Sequence, residues 1–74
     1  MHTDKLVHMA NQIGTFFEAM PDRAEALDGI AQHIKKFWDP RMRRELFAAL
    51  DADAAATLLP IVREALEGHR QQLA

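Results

Sequence analysis

Three threonines, Thr3, Thr15 and Thr57, are the only hydroxyl nucleophiles in this 74-residue chain, which has no serine, cysteine or tyrosine. Covalent catalysis needs a nucleophile held against a base in a sheltered pocket, and threonines at helix ends or on a polar flank offer little toward one. The isolated chain is therefore not expected to be an enzyme. The four histidines, His2, His8, His33 and His69, are the other candidates for chemistry. Two metal ligands on one helix face need His-x-x-x-His or Glu-x-x-His spacing, and neither occurs, so no metal site is expected. His8 lies one turn after Asp4 and reads as its surface partner. His33 reads as solvent-facing, and His69 as a frayed or hydrogen-bonded residue on the apolar stripe of the last helix.

Binding chemistry is better supplied. Five of the nine basic residues, Lys35, Lys36, Arg41, Arg43 and Arg44, flank the run Phe37-Trp38-Asp39-Pro40, which holds the single tryptophan. Formal charge is −3 over residues 1–34, +4 over 35–44 and −3 over 45–74, so the net value of −2 hides a positive island. On a helical wheel Arg41 and Arg44 point away from the Met42/Leu46/Ala49 stripe, as charges that merely solvate a face also do. Arg43 projects between Leu50 and Phe47, where it either snorkels or reaches an anionic group on a partner. Together with Trp38 the segment has the aromatic-plus-arginine make-up of an interface hot spot.

These residues must be positioned by helices. Strand formers are sparse and nowhere alternate, whereas alanine, leucine and glutamate are abundant. Thr3 is a candidate N-cap for a first helix over Asp4 to Met20, whose apolar face carries Leu6, Met9, Ala10, Ile13, Phe17 and Met20 and which Pro21 ends. Asp22 with Glu25 forms a capping-box-like start for a second helix facing inward with Leu27, Ile30, Ala31, Ile34 and Trp38. Asp39 as cap and Pro40 at the first helical position begin a third, with Met42, Leu46, Ala49 and Leu50 inward. A last helix from about Thr57, with Pro60 in its first turn, presents Leu58, Ile61, Val62, Ala65, Leu66 and Leu73. The expected fold is all-α: a small compact bundle of about four short helices forming a single helical domain over residues 1–74.

Size limits what that bundle can do, since a chain of this length buries only about 60% of its unfolded surface and has no room for a deep cleft. The N-terminus lacks a charged segment leading into an apolar run, and no apolar stretch approaches a bilayer span, so a soluble cytoplasmic protein with no membrane partner is expected. The apolar arc of the first helix, extended by Phe16, Gly14 and Val7, covers about half its circumference, wider than the roughly 100° stripe of a surface helix. Either two neighbouring helices or a partner covers the extra edge. Gly14, which costs about 1 kcal/mol of helix propensity relative to alanine, points to a close backbone approach on the Val7/Asn11 side.

Two strings in this chain are uncommon. The run Leu6-Val7-His8-Met9-Ala10-Asn11-Gln12-Ile13-Gly14-Thr15-Phe16-Phe17, then Gly29-Ile30-Ala31-Gln32-His33-Ile34, then Phe37-Trp38-Asp39-Pro40-Arg41-Met42-Arg43 resembles the delta subunit of soluble NAD-dependent formate dehydrogenases over most of positions 6 to 50. Beyond that, Ala52 to Ala56 and Leu58-Leu59-Pro60 stand where a Gly-rich turn and a polar cap would be expected. The resemblance implies a non-catalytic accessory subunit that stabilises or matures a complex oxidising formate with NAD. It implies that a molybdenum or tungsten bis-pterin guanine dinucleotide, iron–sulfur clusters and FMN sit in the larger subunits. This chain is expected to bind none of them, having no cysteine for a cluster and no Gly-rich phosphate loop. The expected partner is the catalytic (alpha) subunit, met by Phe37, Trp38, Asp39, Pro40, Arg41, Arg43 and Arg44, with Phe16 and Asn11 from the first helix; an exposed Trp38/Arg41/Arg43/Arg44 surface would suit that docking.

Two alternatives from other classes remain open at this level. Basic residues interleaved with aromatics also suit a nucleic-acid-binding bundle, although five clustered bases in a chain of net charge −2 exert little long-range attraction on DNA. A homodimer formed through the wide apolar arc, with Phe16 and Met20 at its edge, is the other.

Overall fold

Helix starts in this chain follow its aspartates and prolines. In the computed structural model, which describes residues 2–73, Asp22 accepts a hydrogen bond from the Glu25 amide at 3.1 Å and opens α2 (Arg23–Phe37). Asp39 does the same for the Met42 amide at 3.0 Å and opens α3 (Pro40–Asp51), with Pro40 at the first helical position. Both caps match the sequence expectation. The first helix, α1 (Thr3–Glu18), departs from it at both ends. Thr3 lies inside the helix and His2 is the capping residue, without a side-chain bond. At the far end Pro21 holds Met20 out of the helical region, and the Met20 amide closes back on the Phe17 carbonyl at 3.0 Å.

The chain turns after α3 at Ala52 and Asp53, without the glycines that the family resemblance would supply. Asp53 takes a left-handed conformation (φ 58°), and its amide and that of Ala54 bond back to the carbonyls of Leu50 and Ala49. That is the Schellman pattern usually built on glycine, here carried by an aspartate, a residue that tolerates this region better than most. Helix α4 (Pro60–Gly68) then starts at Pro60 rather than near Thr57. The Asn11 side chain explains the difference: its Nδ2 donates to the Thr57 carbonyl at 2.9 Å and its Oδ1 accepts from the Leu59 amide at 2.8 Å. Backbone groups that a longer helix would use are thereby held by α1. A break at His69 separates α4 from a final turn, α5 (Arg70–Leu73), so the described residues form five helices and no strand. His69 Nδ1 lies 3.0 Å from the Ala65 carbonyl, the hydrogen-bonded role expected of it.

Helix α2 packs against α1, α4 and α5, and α1 also touches α3 and α4. Leu6, Ile30, Ile34, Leu46, Ile61 and Leu66 are shut off from solvent at the centre. The first turn of α4 rests directly on the α1 backbone at Gly14, where an added Cβ would run into Val62 Cγ2 and lie 3.4 Å from Ile61 Cγ2. This is the close approach that a helical glycine on the Asn11 side implied. On the surface, Arg70 holds Asp51 through two hydrogen bonds of 2.7 and 3.0 Å while its guanidinium lies 4.8 Å from the Phe47 ring centre. The Arg70 hydrogen bond keeps the Asp51 carboxyl below the usual carboxylate range. No described helix is long and apolar enough to cross a membrane.

Removing the Asn11 clamp tests how the connection into α4 is held. Asn11→Ala leaves the partly buried Leu59 amide without its acceptor, and an unpaired group of that kind costs about 1–3 kcal/mol. The expected result is an unfolding free energy lowered by that amount, seen as a lower urea midpoint, together with faster hydrogen exchange at Leu59. An unchanged midpoint would mean that the proline and the core contacts alone place α4.

Candidate functional site

A row of aromatic rings crosses from α1 to α2, and it begins at a glycine. Gly29 leaves the α2 backbone bare, and an added Cβ there would stand 2.5 Å from Phe17 Cε1 and 2.7 Å from Cδ1, so the Phe17 ring packs directly against that helix. His33, one turn further along α2, meets Phe17 edge-on with ring centres 6.4 Å apart, and Phe37, another turn on, packs against His33 at 4.8 Å. Phe16 stands edge-on to Phe17 at 5.1 Å and projects outward.

Beneath this row lies an open groove of about 420 Å³. Met9, Ile13 and Phe17 form one wall, Phe16 the rim above them, and Trp38 closes the end, with His33 and Gln12 as the polar side chains that reach it. Phe16 on its rim is 74% exposed, and Phe37, outside the lining but packed on His33, is 72% exposed; these are the large apolar side chains left in solvent among the described residues. Two exposed phenylalanines beside an apolar depression make a local apolar surface of the kind that singly scattered exposed side chains do not.

The residues expected to meet a partner are not all free to do so. Trp38 is 5% exposed and belongs to the core, so the expected exposed Trp38 surface does not exist; only the ring face that lines the groove is within reach. Its burial follows from its place at the end of α2, where the chain turns and carries the indole beneath α1. Arg43 is committed within the fold: Nε donates to the Leu73 carbonyl at 3.0 Å, and one terminal nitrogen donates to the carbonyls of Trp38 at 2.9 Å and Lys35 at 3.2 Å. It gathers the end of α2, the following turn and α5, rather than reaching a partner. Asn11 holds the chain ahead of α4, and Asp39 and Pro40, although exposed, act as cap and first residue of α3.

Lys35, Lys36, Arg41 and Arg44 remain exposed and make no ion pair among the described residues. They do not form one patch. Arg44 borders a shallow depression with Phe47 and Arg70, while Lys36 follows His33 by three residues along the groove side of α2. His33 itself is half-buried between two phenyl rings, not solvent-facing, because Phe37 lies four residues on and covers it. Sequence reasoning passed over His33 and Gln12 as groove residues; the spacing Gly29, His33, Phe37 on one face of α2 was the available signal.

The side chains that line the groove are mostly apolar or aromatic, with Gln12 and His33 as the polar ones. Among the described residues no three histidine, cysteine, aspartate or glutamate side chains converge, and the chain contains no thiol. These donors do not fit an iron–sulfur cluster or a molybdenum centre.

A family model described as NADH-dependent formate dehydrogenase delta subunit FdsD matches residues 5–66. The match runs through the Asp53 turn and into α4, past the stretch where the sequence motifs end. No curated protein and no solved structure matches the chain.

Proposed function

Since the chain belongs to the FdsD family of formate dehydrogenase delta subunits, we propose that it is a non-catalytic companion of a cytoplasmic NAD-dependent formate dehydrogenase, docking on the catalytic subunit to stabilise the complex or assist its cofactor loading. The observation that carries the docking role is the aromatic groove with exposed Phe16 on its rim and exposed Phe37 beside it on His33. Burying two such rings in a partner offsets the cost of leaving them in water, roughly 1.5–3 kcal/mol for each side chain. The electron-transfer and formate chemistry belongs, on this proposal, to the larger subunits with their bis-pterin molybdenum or tungsten centre, clusters, FMN and NAD. A cluster on this chain would find no cysteine to ligate it. A nucleic-acid role is less well supported, because the free cations divide between the groove side and the Phe47 side and give no continuous phosphate track.

The chain, tagged in its native host, is expected to co-purify with the larger formate dehydrogenase subunits, and a Phe16→Ala/Phe37→Ala variant is expected to lose them. Both side chains are largely solvated, so the variant should keep its far-UV circular dichroism and its melting temperature within a few degrees. A weakening of 10-fold or more is the effect expected of hot-spot aromatics, roughly 1.4 kcal/mol or above. Full retention of the enzyme by the double variant would move the docking surface off the groove.

A further inference from the structure

The groove's rim is more positive than the chain as a whole. Lys5, Met9, Gln12 and Phe16 follow one another at spacings of four, three and four along a single edge of α1, so Lys5 continues the groove wall toward the N-terminus. Lys36 stands beside His33 on α2, and Arg41 opens α3 three residues after Trp38. All three cations are exposed and make no ion pair among the described residues. Of the acids on these three helices and their caps, Asp22 and Asp39 accept from the Glu25 and Met42 amides, Asp28 faces His69 at 3.8 Å and Asp51 is held by Arg70. Glu25 lies one turn before Gly29, Glu45 lies one turn past Arg41 with one carboxylate oxygen buried and unpartnered among the described residues, and Asp4 and Glu18 fall on the Asn11 edge of α1.

A small molecule is a poor match, since an open groove with Gln12 and His33 as its polar groups has little to fix a ligand's orientation. A strand is a poor match too. The walls are helices whose backbone groups are already paired, so no sheet edge is offered, and an incoming segment must satisfy its own backbone hydrogen bonds. Building on the proposed subunit role, we infer that the groove receives an acidic amphipathic helix of a larger subunit. Its apolar residues lie between Phe16 and Phe37, and its carboxylates meet Lys5, Lys36 and Arg41.

Zero-length carbodiimide coupling of the purified complex, which joins an amine directly to a carboxylate, reads this contact by mass spectrometry. Lys5 and Lys36 should both couple to aspartates or glutamates within one segment of a larger subunit that carries apolar residues at helical spacing. Lys35, on the α5 side of α2, is the internal control. A Lys5→Glu/Lys36→Glu/Arg41→Glu variant, altered only at exposed positions, should bind on the order of 100-fold more weakly, with the difference shrinking as salt rises. If the complex forms but only Lys35 couples, or the charge-reversed variant binds as wild type, the subunit role stands and the acidic helix is excluded. Coupling between two copies of this chain would give the groove to self-association instead. If no larger subunit co-purifies with the wild-type chain, the subunit role itself fails, and the inference with it.

Discussion

Trp38→Ala is expected to remove about 3–5 kcal/mol of folding stability, the range for truncating a large buried aromatic. A chain of this length has about 4–11 kcal/mol in all at ordinary values per residue, so the variant should be partly or wholly unfolded at 37 °C. The indole stands at the junction of α2 and α3, and removing it takes away the end of the groove along with part of the core. Urea titration followed by circular dichroism would show a midpoint shifted far toward zero. Phe16→Ala and Phe37→Ala, by contrast, should each stay within about 0.5 kcal/mol of wild type, as exposed substitutions do. A Trp38→Ala midpoint equal to that of wild type would mean that the indole is not packed as described. One practical consequence follows for binding studies: loss of a partner by a Trp38 variant reports unfolding, and the exposed phenylalanines are the positions that separate binding from folding.

Arg43→Met is expected to be nearly as damaging, at about 2–4 kcal/mol, because hydrogen bonds from a charged donor are worth about 1.5–3 kcal/mol each and three are lost together without adding fully. Methionine retains much of the apolar stem, so the loss isolates the guanidinium. Leu73 is buried, and its carbonyl is one of the three that Arg43 holds, which makes α5 the first element to detach. A melting temperature lower by about 8–32 °C is expected at this size. Hydrogen exchange should accelerate at Leu73 before it does in the centre of α2. Arg43→Lys should recover only part of the stability, since a single ammonium cannot span three carbonyls as the planar fork does. Should Arg43→Met melt with the wild type and leave exchange in α5 unchanged, the three bonds would have no share in holding the C-terminus.

The helices were legible because their signals are local. Asp22 and Asp39 cap as expected, Pro40 opens α3, and the apolar stripes built on Leu6, Ile30, Leu46 and Ile61 all face the core. Each of those features depends on residues within one or two turns, where helical geometry leaves few choices. The errors fall where a distant residue takes part. Thr57 was an attractive helix start until Asn11, 46 residues away, claimed its carbonyl. The last helix was continuous on the wheel, yet it breaks at His69.

The sequence by itself determined an all-α chain, the places where three of its helices begin or end, and, through uncommon strings confirmed by the family match over residues 5–66, its membership among formate dehydrogenase delta subunits. Tertiary structure alone decided which of the conspicuous residues are available to a partner. Periodicity reports that a face is apolar, but not what lies against it. Trp38 and Arg43 look like interface residues on any helical wheel, and both are consumed by the fold, one by burial and the other by carbonyls up to 30 residues away. Phe16 and Phe37 look like ordinary edges of two separate helices. Phe16 rims the groove and Phe37 stands beside it on His33 because Gly29 lets Phe17 lie against α2 and bring those helices' aromatic edges together.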